Sequence, residues 1–134
     1  MQRSQLKKEF ELDIYHKMAI KKEEAILALK EIIILSNKNE IYKDECDDYY
    51  FFHDKYKQHI SSAIYERLEY LSSDALHVFN NLESDLYELE HGLVMNIGKQ
   101  DDKHLTETYQ KLINQIRSDL SNLITTSVLS DIYR

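Results

Sequence analysis

Proline is absent from these 134 residues, and glycine occurs only at Gly92 and Gly98. Proline and glycine break helices and supply most tight turns, so the chain has little material for a sheet built from many hairpins. It can be helical almost throughout. The hydrophobic share of 43% beside 31% charged residues is a globular balance and not that of a disordered chain. A length of 134 residues suits one domain spanning 1–134, and folding at this size buries roughly two thirds of the extended chain's surface.

Apolar periodicity then divides the chain. Ile14, Met18, Lys21, Ala25, Ala28, Ile32 and Leu35 alternate steps of four and three, a heptad seam with one charged interruption, inside a helix expected over residues 4–36. Asn37 to Asn39 suit a helix end, since asparagine tolerates the left-handed conformation that closes one. A second helix is expected over 41–70, with the stripe Tyr42, Cys46, Tyr49, His53, Tyr56, Ile60, Ala63 and Leu68. Ser72 or Ser73 offers an N-cap and Asp74 suits the helix dipole, opening a third helix over 73–97. Its stripe is Leu76, Phe79, Leu82, Leu86, Leu89, Leu93 and Ile97, with Gly98 placed to stop it and Gly92 marking a close approach or an early end. A fourth helix is expected over 102–129 along Leu105, Tyr109, Leu112, Ile116, Leu120 and Leu123, fraying through the Ser- and Thr-rich stretch from Ser121 to Ser130. The expected fold class is all-α, an antiparallel bundle of about four helices. The first helix outruns partners of about 25 residues, which leaves residues 1–14 as a protruding arm with Leu6, Phe10 and Ile14 along one edge.

Charge and cysteine content narrow the function classes. The net charge of −7 divides unevenly: residues 1–40 carry 8 basic and 7 acidic side chains, a balance of +1, and the remainder carries 9 and 17, a balance of −8. Nucleic-acid binding needs clustered cations, so an acidic body argues against it. A single cysteine, Cys46, excludes an internal disulfide and fits a reducing, cytoplasmic setting. The longest apolar stretch, Ala25 to Leu35, is interrupted by Lys30 and Glu31 and is too short for a bilayer crossing of about 20 residues.

Four histidines follow an acid by three residues: Asp13 and His16, Asp74 and His77, Glu88 and His91, Asp101 and His104. Di-iron bundles use that spacing, but here His16, His77 and His91 lie half a turn from the seams and no inward glutamates answer them. Exposed acid and histidine pairs are the plainer reading, and no metal or other cofactor is expected. His53 differs, because it lies on a buried stripe and needs a hydrogen-bond partner, for which a tyrosine hydroxyl is the candidate. Acids around Cys46 make its thiolate scarce. No phosphate loop, nucleophile elbow or His-Glu-x-x-His motif occurs, and none of Arg3, Arg67 and Arg117 has a histidine five positions on, as a common helical ribonuclease signature demands. A catalytic role is therefore not expected.

Two stretches, Leu6-Lys7-Lys8-Glu9-Phe10-Glu11-Leu12 and Leu68-Glu69-Tyr70-Leu71-Ser72, resemble a helical-bundle domain of uncharacterised small bacterial proteins, over about residues 5–90. The resemblance implies a bundle and carries over no functional residue. Proteins of that kind often have an N-terminal membrane helix or coiled coil, from which this sequence departs. The expected function is a non-catalytic protein–protein interaction or assembly module of bacterial or phage type, acting through Leu6, Phe10 and Ile14 and through Tyr49, Tyr50 and His53. It binds another protein or itself, as a homo-oligomer such as a dimer. A second expectation is an acidic decoy or immunity-type inhibitor that occupies a basic site through the acids from Asp44 to Asp54, which are Asp44, Glu45, Asp47, Asp48 and Asp54. A third is a metal-dependent helical enzyme.

Overall fold

The computed structural model describes residues 2–92 and 99–132. Helix α1 runs Gln2–Lys38, strands β1 Tyr42–Glu45 and β2 Asp48–Phe51 follow, and α2 begins at His53 and ends at Lys55. A π-helical turn, Tyr56–Ser61, continues into α3, Ser62–Tyr65, and a 3-10 turn, Leu68–Tyr70, leads to α4, Ser73–Glu90, and α5, Lys99–Ile132. The chain is mostly α-helical, as its lack of breakers implies. Among the described residues no helix is long and apolar enough to cross a membrane.

The helix expected over 41–70 is the main correction. Its first part is an antiparallel hairpin in which Tyr42 pairs with Phe51, Lys43 with Tyr50, Asp44 with Tyr49 and Glu45 with Asp48. Two residues remain for the turn, Cys46 at φ 51° and Asp47 at φ 67°. Positive φ at both central positions gives the twist that matches two flanking strands, and Asn-Gly is the usual sequence for it. Here neither residue is glycine, so the turn was not visible in the glycine count. Aromatic residues favour strands, and Tyr, Phe, Cys and Asp are indifferent helix formers, so the segment loses little by leaving the helix. Relieving the turn tests this directly: Asp47→Gly is expected to raise stability by about 1 kcal/mol, the cost of a left-handed non-glycine residue. An unchanged denaturant midpoint would count against the turn geometry.

Aromatic packing holds the hairpin down. Tyr109 on α5 stands 6.0 Å, centroid to centroid, from each of Tyr42, Phe51 and Tyr56, with edge-on ring planes. Phe51 also lies 5.5 Å from Tyr56 and 5.7 Å from His53. The backbone N–H of Phe51 donates to Asp102 Oδ2 at 3.4 Å, which ties β2 to the first turns of α5.

The core runs through Leu29 and Ile32 of α1, Ile60 and Ile64 of the middle segment, Phe79, Leu82 and Leu86 of α4, and Leu105, Leu112 and Ile116 of α5. Among the described residues the α4 and α5 stripes are therefore those expected, with Leu76, Leu89, Leu120 and Leu123 half-buried. The α1 seam needs revision. Ala28 and Ile32 are buried, but Ile14 and Met18 are exposed and Leu29, outside the seam, is fully buried. Ser72 caps α4 by accepting from the Ala75 N–H at 3.1 Å. That helix ends at Glu90 rather than near residue 97, and Gly92 follows at φ 65°, the left-handed residue that closes a helix. Leu93, Ile97 and Gly98 lie outside the described residues. Helix α5 is longer than expected: its 34 residues nearly equal the 37 of α1, so the anticipated length mismatch does not hold for this pair. Its backbone stays helical to Ile132, through the stretch expected to fray.

Candidate functional site

Among the described residues, polar or exposed apolar groups come together at several places. The first is the N-terminal half of α1, where every residue from 4 to 21 is exposed. Leu6 at 65%, Phe10 at 66% and Ile14 at 42% exposure recur at steps of four and so share one side of the helix, with Met18 next in the series. Leu12, Tyr15 and Ile20 add exposed apolar surface on the remaining sides. Lys17 and Asp13 form a solvated i, i+4 pair at 3.4 Å, which contributes only tenths of a kcal/mol.

The second place is the hairpin, which gathers Asp44, Asp47, Asp48, Tyr49 and Tyr50. Asp44 sits on β1, Asp47 in the turn, and Asp48, Tyr49 and Tyr50 on β2. Alternation along β2 turns Phe51 into the core and leaves Tyr50 exposed, while Tyr49 is half-buried with Lys103 Nζ 5.7 Å from its ring centre. The hairpin follows the C-terminal end of α1, and Ile14 to Lys38 spans about 36 Å at 1.5 Å per residue. The arm and the acidic tip are thus separate surfaces. His53 is half-buried, but carboxylates and not a tyrosine hydroxyl face it: Nδ1 is 3.6 Å from Glu90 Oε1 and Nε2 is 3.9 Å from Asp102 Oδ1. Burial acts to raise the Glu90 carboxyl, but the ammonium of Lys57, bonded to it, and the adjacent His53 outweigh this and hold it below the usual carboxylate range. The cluster links the end of α4 to the start of α5.

The remaining histidines form no metal grouping. His104 Nε2 meets Asp85 Oδ2 at 2.7 Å across two helices, His91 stacks on Tyr87, and His77 lies 3.5 Å from Asn81. Among the described residues no group of three His, Cys, Asp or Glu side chains could hold a metal ion.

The third place was not anticipated. A cavity of about 510 Å³ opens between the end of α1, the connection to β1 and one side of α5. Ser36 and Tyr109 share a 2.6 Å hydrogen bond at its edge, Gln110 donates to the Tyr42 hydroxyl at 3.1 Å, and Arg117 donates to Asn37 Oδ1 at 2.9 Å. Burial, which outweighs the opposing pull of Ser36 and Arg117, pushes the Tyr109 hydroxyl up to about 12. Asn37 to Asn39 had marked a helix end, but no local signal shows that Arg117, 80 residues on, returns to it.

Comparison with family models, with curated proteins and with solved structures gives no match. Function therefore rests on these three surfaces. The arm and the hairpin both present exposed side chains, and Cys46 at the hairpin tip is exposed among acids. What both offer is area for contact.

Proposed function

We propose that this protein is a non-catalytic assembly module, cytoplasmic and of the bacterial or phage helical-bundle kind, whose helices close as an antiparallel bundle and whose α1 arm pairs with a second copy of the chain. One observation carries the reading: residues 4–21 are exposed throughout, yet Leu6, Phe10, Ile14 and Met18 line one side of a helix. A helix stripe of large apolar side chains gains free energy when covered, at roughly 25 cal/mol per Å² of apolar surface removed from water. An interface of ordinary size takes roughly 800 Å² from each partner, and an exposed stretch of 18 helical residues, about 27 Å long, provides surface on that scale. The neighbouring Lys8, Glu9, Glu11 and Asp13 carry both signs, as the flanks of a paired helix do, and Lys7 sits on the stripe's own side, three residues before Phe10.

Sedimentation equilibrium across a wide concentration range tests this. The chain is expected to reach twice its 16.0 kDa mass, and Leu6→Glu with Phe10→Glu to return it to monomer while leaving the helical circular dichroism in place. A monomer at every concentration would sink the reading.

The hairpin favours a second reading, since it draws Asp44, Glu45, Asp47 and Asp48 to one tip. In that reading the tip occupies a basic site on another protein, as a decoy for nucleic acid. Binding to a basic partner should then weaken with salt and be lost on reversing Asp47 and Asp48 to lysine.

A further inference from the structure

We propose that the cavity between α1 and α5 binds a free α-amino acid, with the ligand carboxylate on Arg117 and its ammonium on Glu40. The argument starts from charge. Arg117 and Glu40 both line the cavity, and neither forms an ion pair with the other or with any other side chain of the described residues. Arg117 is oriented by Asn37 through one N–H, which leaves most of the guanidinium fork for an anion. Glu40 stands beyond the C-terminal end of α1, where the helix dipole is negative and favours a cation beside it. Opposite charges lining one opening match a ligand that carries both.

The remaining lining suits the body of such a ligand. Ile41 and Ile113, at 2% and 6% exposure, form an apolar floor. Asn114 on α5 and the hydroxyl of Tyr42 border it with hydrogen-bonding groups. A volume of about 510 Å³ falls within the usual range for small-ligand sites, roughly 300–1,000 Å³. A doubly anionic ligand would meet Glu40 and a diamine would meet Arg117, whereas a zwitterion presents an opposite charge to each. The site stands apart from the arm, and the inference does not depend on self-association.

Saturation-transfer NMR on the full chain, with each standard amino acid in turn, tests the proposal. A subset is expected to bind. For the best of them, the N-acetyl form and the carboxamide form should each bind about 10- to 100-fold more weakly, the loss typical of one charged hydrogen-bonded contact. Arg117→Ala and Glu40→Gln should do the same, and because both side chains are exposed their circular dichroism and melting should stay near those of the parent. No binding by any amino acid at millimolar concentration overturns the proposal. So does equal binding of the capped forms, or binding that survives both substitutions.

Discussion

Replacing Phe51 by alanine is expected to destabilise the protein by about 3–5 kcal/mol, the usual cost of emptying a buried aromatic site. Phe51 is buried at 5% exposure and its ring touches those of Tyr56, Tyr109 and His53. Removing it takes the hairpin's anchor and leaves a void that three ring edges cannot close without moving the strands. Against a total stability of roughly 5–15 kcal/mol for a domain, the variant is close to unfolded at ordinary temperature. Its neighbour provides the control. Tyr50 points outward at 46% exposure and pairs only with exposed Lys43, so Tyr50→Ala should change stability by no more than about 0.5 kcal/mol. In a helical segment both residues would flank the seam and the two substitutions would cost similar amounts. Chemical denaturation of the pair therefore separates strand from helix at this position.

That contrast also shows which parts of the architecture could be read from the residues. Long elements with many apolar turns were legible: Phe79, Leu82 and Leu86 in α4, and Leu105, Leu112 and Ile116 in α5, belong to helical-period stripes sustained over several turns. The hairpin was not, because Tyr42, Cys46, Tyr49 and His53 also fall at helical spacing and the segment is too short for period alone to decide. Tertiary packing against Tyr109 chose the strand. The α1 seam misled for a different reason. Ile14 and Met18 repeat correctly but have no partner element among the buried residues, and periodicity reports a face without reporting what covers it. Leu29, one position from the seam residue Ala28, is fully buried in the core although it lies outside the seam. The candidate surfaces divide in the same way. The arm and the acidic tip are local in sequence, so Leu6, Phe10, Asp47 and Asp48 could be named beforehand. The cavity joins Glu40 to Arg117, and such a meeting is set by helix packing alone.

Glu83→Ala is expected to cost about 3 kcal/mol, and the reason lies in the π-helical turn. Tyr56, fully buried, donates its hydroxyl to Glu83 Oε1 at 3.0 Å, and the buried Ser61 hydroxyl donates to the same oxygen. In an α-helix residues five apart point about 140° away from each other. The turn over 56–61, closed where the Ser62 N–H reaches back to the Lys57 carbonyl, rotates them toward one side and lets a single carboxylate serve both. Burial first, and the charge of Glu83 second, push the Tyr56 hydroxyl well above the ordinary phenol range, so it stays a neutral donor. Without the carboxylate, Ser61 can turn back to a carbonyl of its own helix, but the Tyr56 hydroxyl is left buried with no acceptor, at about 1–3 kcal/mol, in addition to the lost charged hydrogen bond. The double variant Tyr56→Phe with Glu83→Ala removes the orphaned hydroxyl and should recover about 1–2 kcal/mol of the single variant's loss. A double-mutant cycle by denaturant unfolding measures that coupling. Strict additivity of the two substitutions would mean that Tyr56 and Glu83 act independently, and that the π turn has some cause other than bringing two hydroxyls to one acid.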